Sequence, residues 1–178
     1  GGTWRLFTAR AKQKHIEVAF IDQHDPKALA AAFARKPALL WIETPSNPLM
    51  RVVDVAALAK QAKAVGAKVV VDNTFLSPAL QKPITLGADF VVHSTTKYLN
   101  GHSDVVGGAV IAADAADAEQ IRWWANCTGV TGAPFDSWLT LRGLRTLNLR
   151  IERQQATAGV IAERLAQHEA VRVVHYPG

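Results

Sequence analysis

Cysteine is nearly absent: Cys127 stands alone among 178 residues. One cysteine makes no internal disulfide, so nothing here demands an oxidising compartment, and the expected location is the cytoplasm. Long apolar runs are missing too. None reaches the length of a membrane span, so no membrane association is expected. Blocks of lysine and arginine are also lacking, although the formal charge is +5 and the pI about 9.6. The basic residues are scattered and do not alternate with aromatics, which argues against nucleic acid. A modest positive field suits an anionic cofactor or substrate instead. The six histidines show no ligand spacing, so no metal is expected. There is no G-x-S-x-G elbow for a Ser-His-Asp hydrolase. Gly107-Gly108 lies inside an apolar run, where a dinucleotide fingerprint would open a helix.

What remains is a chain that is 49% hydrophobic with mean hydropathy +0.05. That is enough for one globular unit with a sizeable core. Short apolar runs alternate with helical patterns. Helix is expected near residues 2–13, and His15 to Ile21 alternates loosely like a strand. Asp25-Pro26 caps a helix that runs to about Arg35, and Asp54 caps another that ends at Gly66. Strands are expected at Ala38–Ile42, Lys68–Val71, Ala88–His93 and Val105–Ala112. Helices follow near 114–125, 134–145 and Leu147–His168, then a last strand from Val171 to Val174. Strands alternating with helices predict an α/β fold, a mainly parallel sheet with helices on both faces.

Three strand ends carry polar groups. Ser94, Thr95, Thr96 and Lys97 follow one strand, Asp72 ends another, and Asn47 sits in the proline-bounded turn Thr44–Pro48 after a third. Open α/β sheets bind ligands outside the carboxyl ends of their strands. Ser94 and Thr96 offer hydroxyls to a phosphate, and Lys97 offers an amine that condenses with an aldehyde. Asp72 offers a carboxylate to a protonated pyridine nitrogen. Taken singly, each has an ordinary explanation. A lysine after a strand is usually solvated, an aspartate there is usually a cap, and Asn47 between prolines bonds its own backbone. His102 likewise reads as structural. The combination points to pyridoxal 5'-phosphate.

Four stretches resemble one family. They are Gly1–Phe7, Glu43–Pro48, Asp72–Phe75 and His93–Asp104. Together they are similar to the Cys/Met-metabolism family of pyridoxal-phosphate enzymes, and the resemblance covers essentially the whole chain. It implies the large domain of the fold-type I architecture over residues 1–146. Residues 147–178 would then be a linking helix and the first strand of a C-terminal domain. It implies that Lys97 is the Schiff-base lysine and proton shuttle, and that Asp72 pairs with the pyridine nitrogen. Ser94 and Thr96 would hold the phosphate. Asn47 would contact the cofactor's phenolic oxygen or the substrate carboxylate, and Arg5 an anionic substrate tail.

Trp123–Asn126, Gly129–Gly132 and Arg142–Leu147 look most like the branch of the family that performs γ-replacement. That implies transfer of cysteine onto an O-acylhomoserine. γ-Elimination and sulfhydrylation use the same named residues and stay open. The resemblance also implies small amino-acid substrates and a homotetramer built as a dimer of dimers. Other groups that complete the family's site would lie outside these residues, so the expectation is a middle portion of an enzyme. Alone, it would bind cofactor weakly and catalyse little.

Overall fold

The computed structural model describes residues 1–177. Four strands form one sheet in the order β1 (Leu39–Glu43), β2 (Lys68–Asp72), β3 (Phe90–Ser94) and β4 (Gly108–Ala112). The first three are parallel, and β4 runs antiparallel to β3. The helices are α1 (Gly2–Lys12), α2 (Pro26–Ala34), α3 (Val55–Ala64), α4 (Ser77–Leu80), α5 (Ala115–Thr128), α6 (Pro134–Leu144) and α7 (Leu147–Ala166).

Local chemistry explains the helix starts. The Asp25 carboxylate accepts from the Lys27 amide at the head of α2, and Asp54 accepts from the Ala57 amide at the head of α3. Past the end of α3, Gly66 adopts φ +83°, which a side chain would resist. Val55, Leu58, Ala59 and Ala62 of α3 recur at helical spacing and are buried. They pack with Leu40, Ile42, Val69, Val71 and Val91 of the sheet. Burying each large member is worth roughly 1.5–3 kcal/mol. Residues of opposite parity point the other way, since side chains alternate along a strand. On that second face Phe7 of α1 meets Trp41 edge-on, with ring centroids 5.2 Å apart at 84°. Val70 is buried there as well, so β2 is covered on both sides.

Two expected strands do not form. Residues 16–22 are irregular rather than a strand. A strand needs a ladder, and here the Gln23 side-chain Nε2 donates to the Trp41 carbonyl of β1 instead, at 2.8 Å. Val171–Val174 forms no strand either, and no strand of the described residues pairs with it. The chain turns back there, bringing the Tyr176 hydroxyl to the Gly159 face of α7. The expected Val105–Ala112 strand starts later, at Gly108. Its first residues are held by the β3 turn: the Thr95 amide donates to the Gly107 carbonyl at 3.0 Å.

The first turns of α7 bury Leu147 and Ile151 against Leu99, Tyr98 and Ala79. By contrast α5 buries nothing, and Trp123, Trp124, Phe135, Trp138 and Leu141 are exposed on α5 and α6.

Candidate active site

Because β1, β2 and β3 are parallel, their carboxyl ends share one edge. Glu43 lies opposite Asp72 in the ladder, and Asp72 lies opposite Val92, two residues before Ser94. Outside this edge is a crevice of about 1010 Å³. Asn47, Asp72, Ser94, Thr96 and Lys97 all line it. Five of the six expected site residues therefore converge. Arg5 does not: it is exposed on α1 and lies off the crevice wall, to which its own segment contributes Gly1, Gly2 and Thr3.

Asp72 is half-buried and its carboxylate is oriented by its own turn. Oδ1 accepts from the Thr74 amide at 3.0 Å and from the Thr74 hydroxyl at 2.6 Å. Oδ2 has no hydrogen-bond partner among the described residues. Thr74 Oγ1 also accepts from the Ser94 amide at 2.9 Å. One hydroxyl thus ties the carboxylate of β2 to the end of β3. The role of Thr74 was not legible beforehand; its signal is a hydroxyl two places after a strand-end aspartate, which is an Asx-turn pattern. Asn73, fully buried, exchanges two bonds with Gln81 and anchors the turn beneath.

Lys97 follows in a tight turn. Its amide donates to the Ser94 carbonyl at 3.3 Å, and its carbonyl accepts from the Gly101 amide at 2.8 Å. Among the described residues, Lys97 Nζ makes no hydrogen bond or ion pair, and the Ser94 hydroxyl makes no hydrogen bond. Thr96 is engaged: Oγ1 accepts from the Gly107 amide at 3.0 Å and reaches the Gly107 carbonyl at 3.3 Å. To donate to a phosphate it must leave the longer bond. The Asn47 side chain is exposed, while its amide donates to Glu43 Oε1 at 3.2 Å. The exposed His102 bonds the Asn100 carbonyl at 2.7 Å and is not among the residues lining the crevice.

Beneath the edge lies His93, 4% exposed, with Nδ1 unpartnered. Burial pushes its pKa below the usual histidine value, and the charge of Asp72 pulls weakly the other way.

The chemistry of this donor set fits pyridoxal phosphate. A carboxylate with one free oxygen suits a protonated ring nitrogen. An unpaired primary amine suits an aldehyde, and the free Ser94 hydroxyl suits a phosphate. Phe75 and Tyr98 add aromatic surface to the same crevice, their rings 6.5 Å apart. Among the described residues there is no group of three or more His, Cys, Asp or Glu arranged to hold a metal. No described helix is long and apolar enough to cross a membrane.

Comparisons with known proteins lead the same way. A family model described as Cys/Met metabolism PLP-dependent enzyme matches residues 1–178. The chain is 55% identical over 177 residues to cystathionine gamma-synthase of Escherichia coli strain K12, covering 99% of this chain and 46% of that protein. The structure superposes with a TM-score of 0.98 on cystathionine gamma synthase from Xanthomonas oryzae pv. oryzae, solved with aminoacrylate and cysteine. That chain is 58% identical, and the match covers 99% of this chain and 46% of that one. A methionine gamma lyase from Micromonospora echinospora, solved in its apo form, superposes at 0.95 with 48% identity, over 100% of this chain and 49% of that one. The chain thus spans about half the length of these relatives.

Proposed function

This chain belongs to the Cys/Met metabolism family of PLP-dependent enzymes, and from that premise we propose that it forms the cofactor-binding part of a cystathionine gamma-synthase-like enzyme. The reaction is γ-replacement on an O-acylhomoserine with cysteine: the Cγ–O bond breaks, a Cγ–S bond forms, and the acyl group departs as a carboxylic acid. The observation that carries the reading is the convergence of Asp72, Ser94, Thr96, Lys97 and Asn47 on one crevice.

Pyridoxal phosphate, when bound, supplies an electron sink that makes the protons next to a substrate amine acidic. The residues do the rest. Asp72 Oδ2 accepts the ring N–H and holds its positive charge in place. Thr74 keeps that carboxylate turned toward the crevice by bonding the other oxygen. Ser94 and Thr96 donate to the phosphate. Lys97 would be the residue whose Nζ holds the aldehyde carbon, and its amine would be the base and acid for protons at the substrate's carbons. Asn47 fixes the ring oxygen or the substrate carboxylate. Arg5, off the crevice, is the candidate for a long anionic tail reaching past it.

Two γ-synthases at 55% and 58% identity support replacement, while other γ-synthases stand at 46% beside a γ-lyase at 48%, so the product formed decides between replacement and elimination. Assembly into a homotetramer belongs to the same reading. The test has two stages. Borohydride treatment of the whole enzyme containing this chain with pyridoxal phosphate, followed by peptide mapping, should label Lys97; labelling elsewhere would remove the assignment. The whole enzyme containing this chain is then given O-succinylhomoserine with and without cysteine. Cystathionine as product supports replacement, whereas a 2-oxo acid and ammonia formed equally well with cysteine would support elimination.

A further inference from the structure

Arg150 is absent from every motif discussed above, yet it lines the same crevice from α7. Its Nη1 donates to the Tyr98 carbonyl at 2.9 Å and its Nη2 to the Gly143 carbonyl at 2.9 Å. Nε donates to the Thr146 hydroxyl at 3.1 Å. No carboxylate is among these partners. A guanidinium carries five donors in a rigid planar fork, so it can bridge two carbonyls that a lysine cannot hold together.

Two glycines make room for this bridge. Gly101 has φ +74°, and a Cβ built there would run into the Arg150 guanidinium. A Cβ at Gly143 would run into the Asn100 carbonyl and come within 2.9 Å of the Leu99 carbonyl. The turn 98–101 is thus pressed between the α6–α7 corner and the arginine. The same turn carries Lys97, whose carbonyl is held by the Gly101 amide and whose next residue supplies the carbonyl that Arg150 grips.

We propose that Arg150 is a positioning residue that clamps the Lys97 turn to α7 and so sets where Lys97 Nζ stands in the crevice. This rests on Lys97 being the cofactor lysine. Arg150 acts through the backbone and contacts no reacting atom. Displacing a reacting group by about 1 Å costs on the order of 100-fold in rate.

The test follows, in the whole enzyme containing this chain, the rate at which Lys97 is covalently captured by pyridoxal phosphate and borohydride, together with thermal melting. In capture, the lysine amine and the aldehyde lose water to form a C=N bond, which hydride from borohydride then reduces. Four variants are compared with the native enzyme: Arg150→Lys, Gly101→Ala, the two combined, and Gly66→Ala. Arg150→Lys keeps the charge and loses the fork. Gly101→Ala keeps the arginine and displaces it. Gly66→Ala introduces a side chain at φ +83° with nothing within 4 Å, so it reproduces the backbone strain without touching the clamp.

The expected result is capture at Lys97 slowed roughly 10- to 100-fold in both Arg150→Lys and Gly101→Ala. The combined variant is no slower than the worse single one, because both break the same contact. Gly66→Ala loses stability with native capture. Native capture by Arg150→Lys would overturn the clamp, as would multiplying losses in the combined variant or losses that follow melting temperature across all four. A native whole enzyme that is not captured at Lys97 would defeat the cofactor reading itself, and the clamp with it.

Discussion

The two faces of the sheet do different work with alternate residues of the same strands. On the α3 face, Leu40, Ile42, Val69, Val71 and Val91 meet an apolar helix stripe and are almost completely buried. On the opposite face the strands present Trp41, Val70 and Val92, then end in Glu43, Asp72 and Ser94. One parity stores stability, and the other delivers polar groups to a crevice. A slip of one residue in register would exchange the two sets and destroy both. Substitutions on one face should therefore leave the property of the other intact, and that separation can be broken experimentally.

The largest effect is expected at the crevice. Lys97→Ala should abolish borohydride-stable attachment of the cofactor while shifting stability by no more than about 0.5 kcal/mol, the usual range for surface changes. Persistent attachment at an equal level would refute the assignment. The mirror experiment is Ile42→Ala, at a side chain with no exposed surface. It should cost about 2–5 kcal/mol, read as a lower urea midpoint, with cofactor capture by the folded fraction unchanged. A smaller effect is expected from Asp72→Asn. Losing the charged acceptor should weaken cofactor binding by about 1.5–3 kcal/mol in a spectroscopic titration, with little change in melting.

The smallest effect sharpens the boundary between the faces, because His93 is buried beside the site yet belongs to the packed parity. Burial holds its folded pKa below the ordinary value of about 6.5. Above about pH 6.5 the residue is neutral whether the chain is folded or unfolded, so it contributes no pH dependence. As pH falls through that value, the unfolded chain takes the proton first. Stability then drops until the depressed folded pKa is reached. Urea midpoints measured downward from about pH 8 should fall below about pH 6.5, and His93→Gln should flatten that part of the curve. An unchanged slope in the variant would assign the dependence to other groups.

Much of this was legible in the residues because it is local. Asp25, Asp54 and Gly66 mark helix ends through contacts within a few positions, and the apolar runs of β1, β2 and β3 fall where their composition puts them. Parallel strands on one edge then bring Asp72, Ser94 and Lys97 together, which is why a candidate site could be read from three strand ends. Tertiary structure decided what depends on distant partners. Residues 16–22 and 171–174 have strand-like composition but join no ladder among the described residues. β4 begins at Gly108 because the preceding Gly107 is held by the Thr95–Thr96 turn. Arg5 shares a segment with the crevice wall but sits on the outside of its helix. Thr74 joins two strand ends, and Arg150 reaches the Tyr98 carbonyl from 52 positions away. No pattern in the amino acids announces such contacts, because a hydrogen bond depends on where two groups meet in space and not on their separation along the chain.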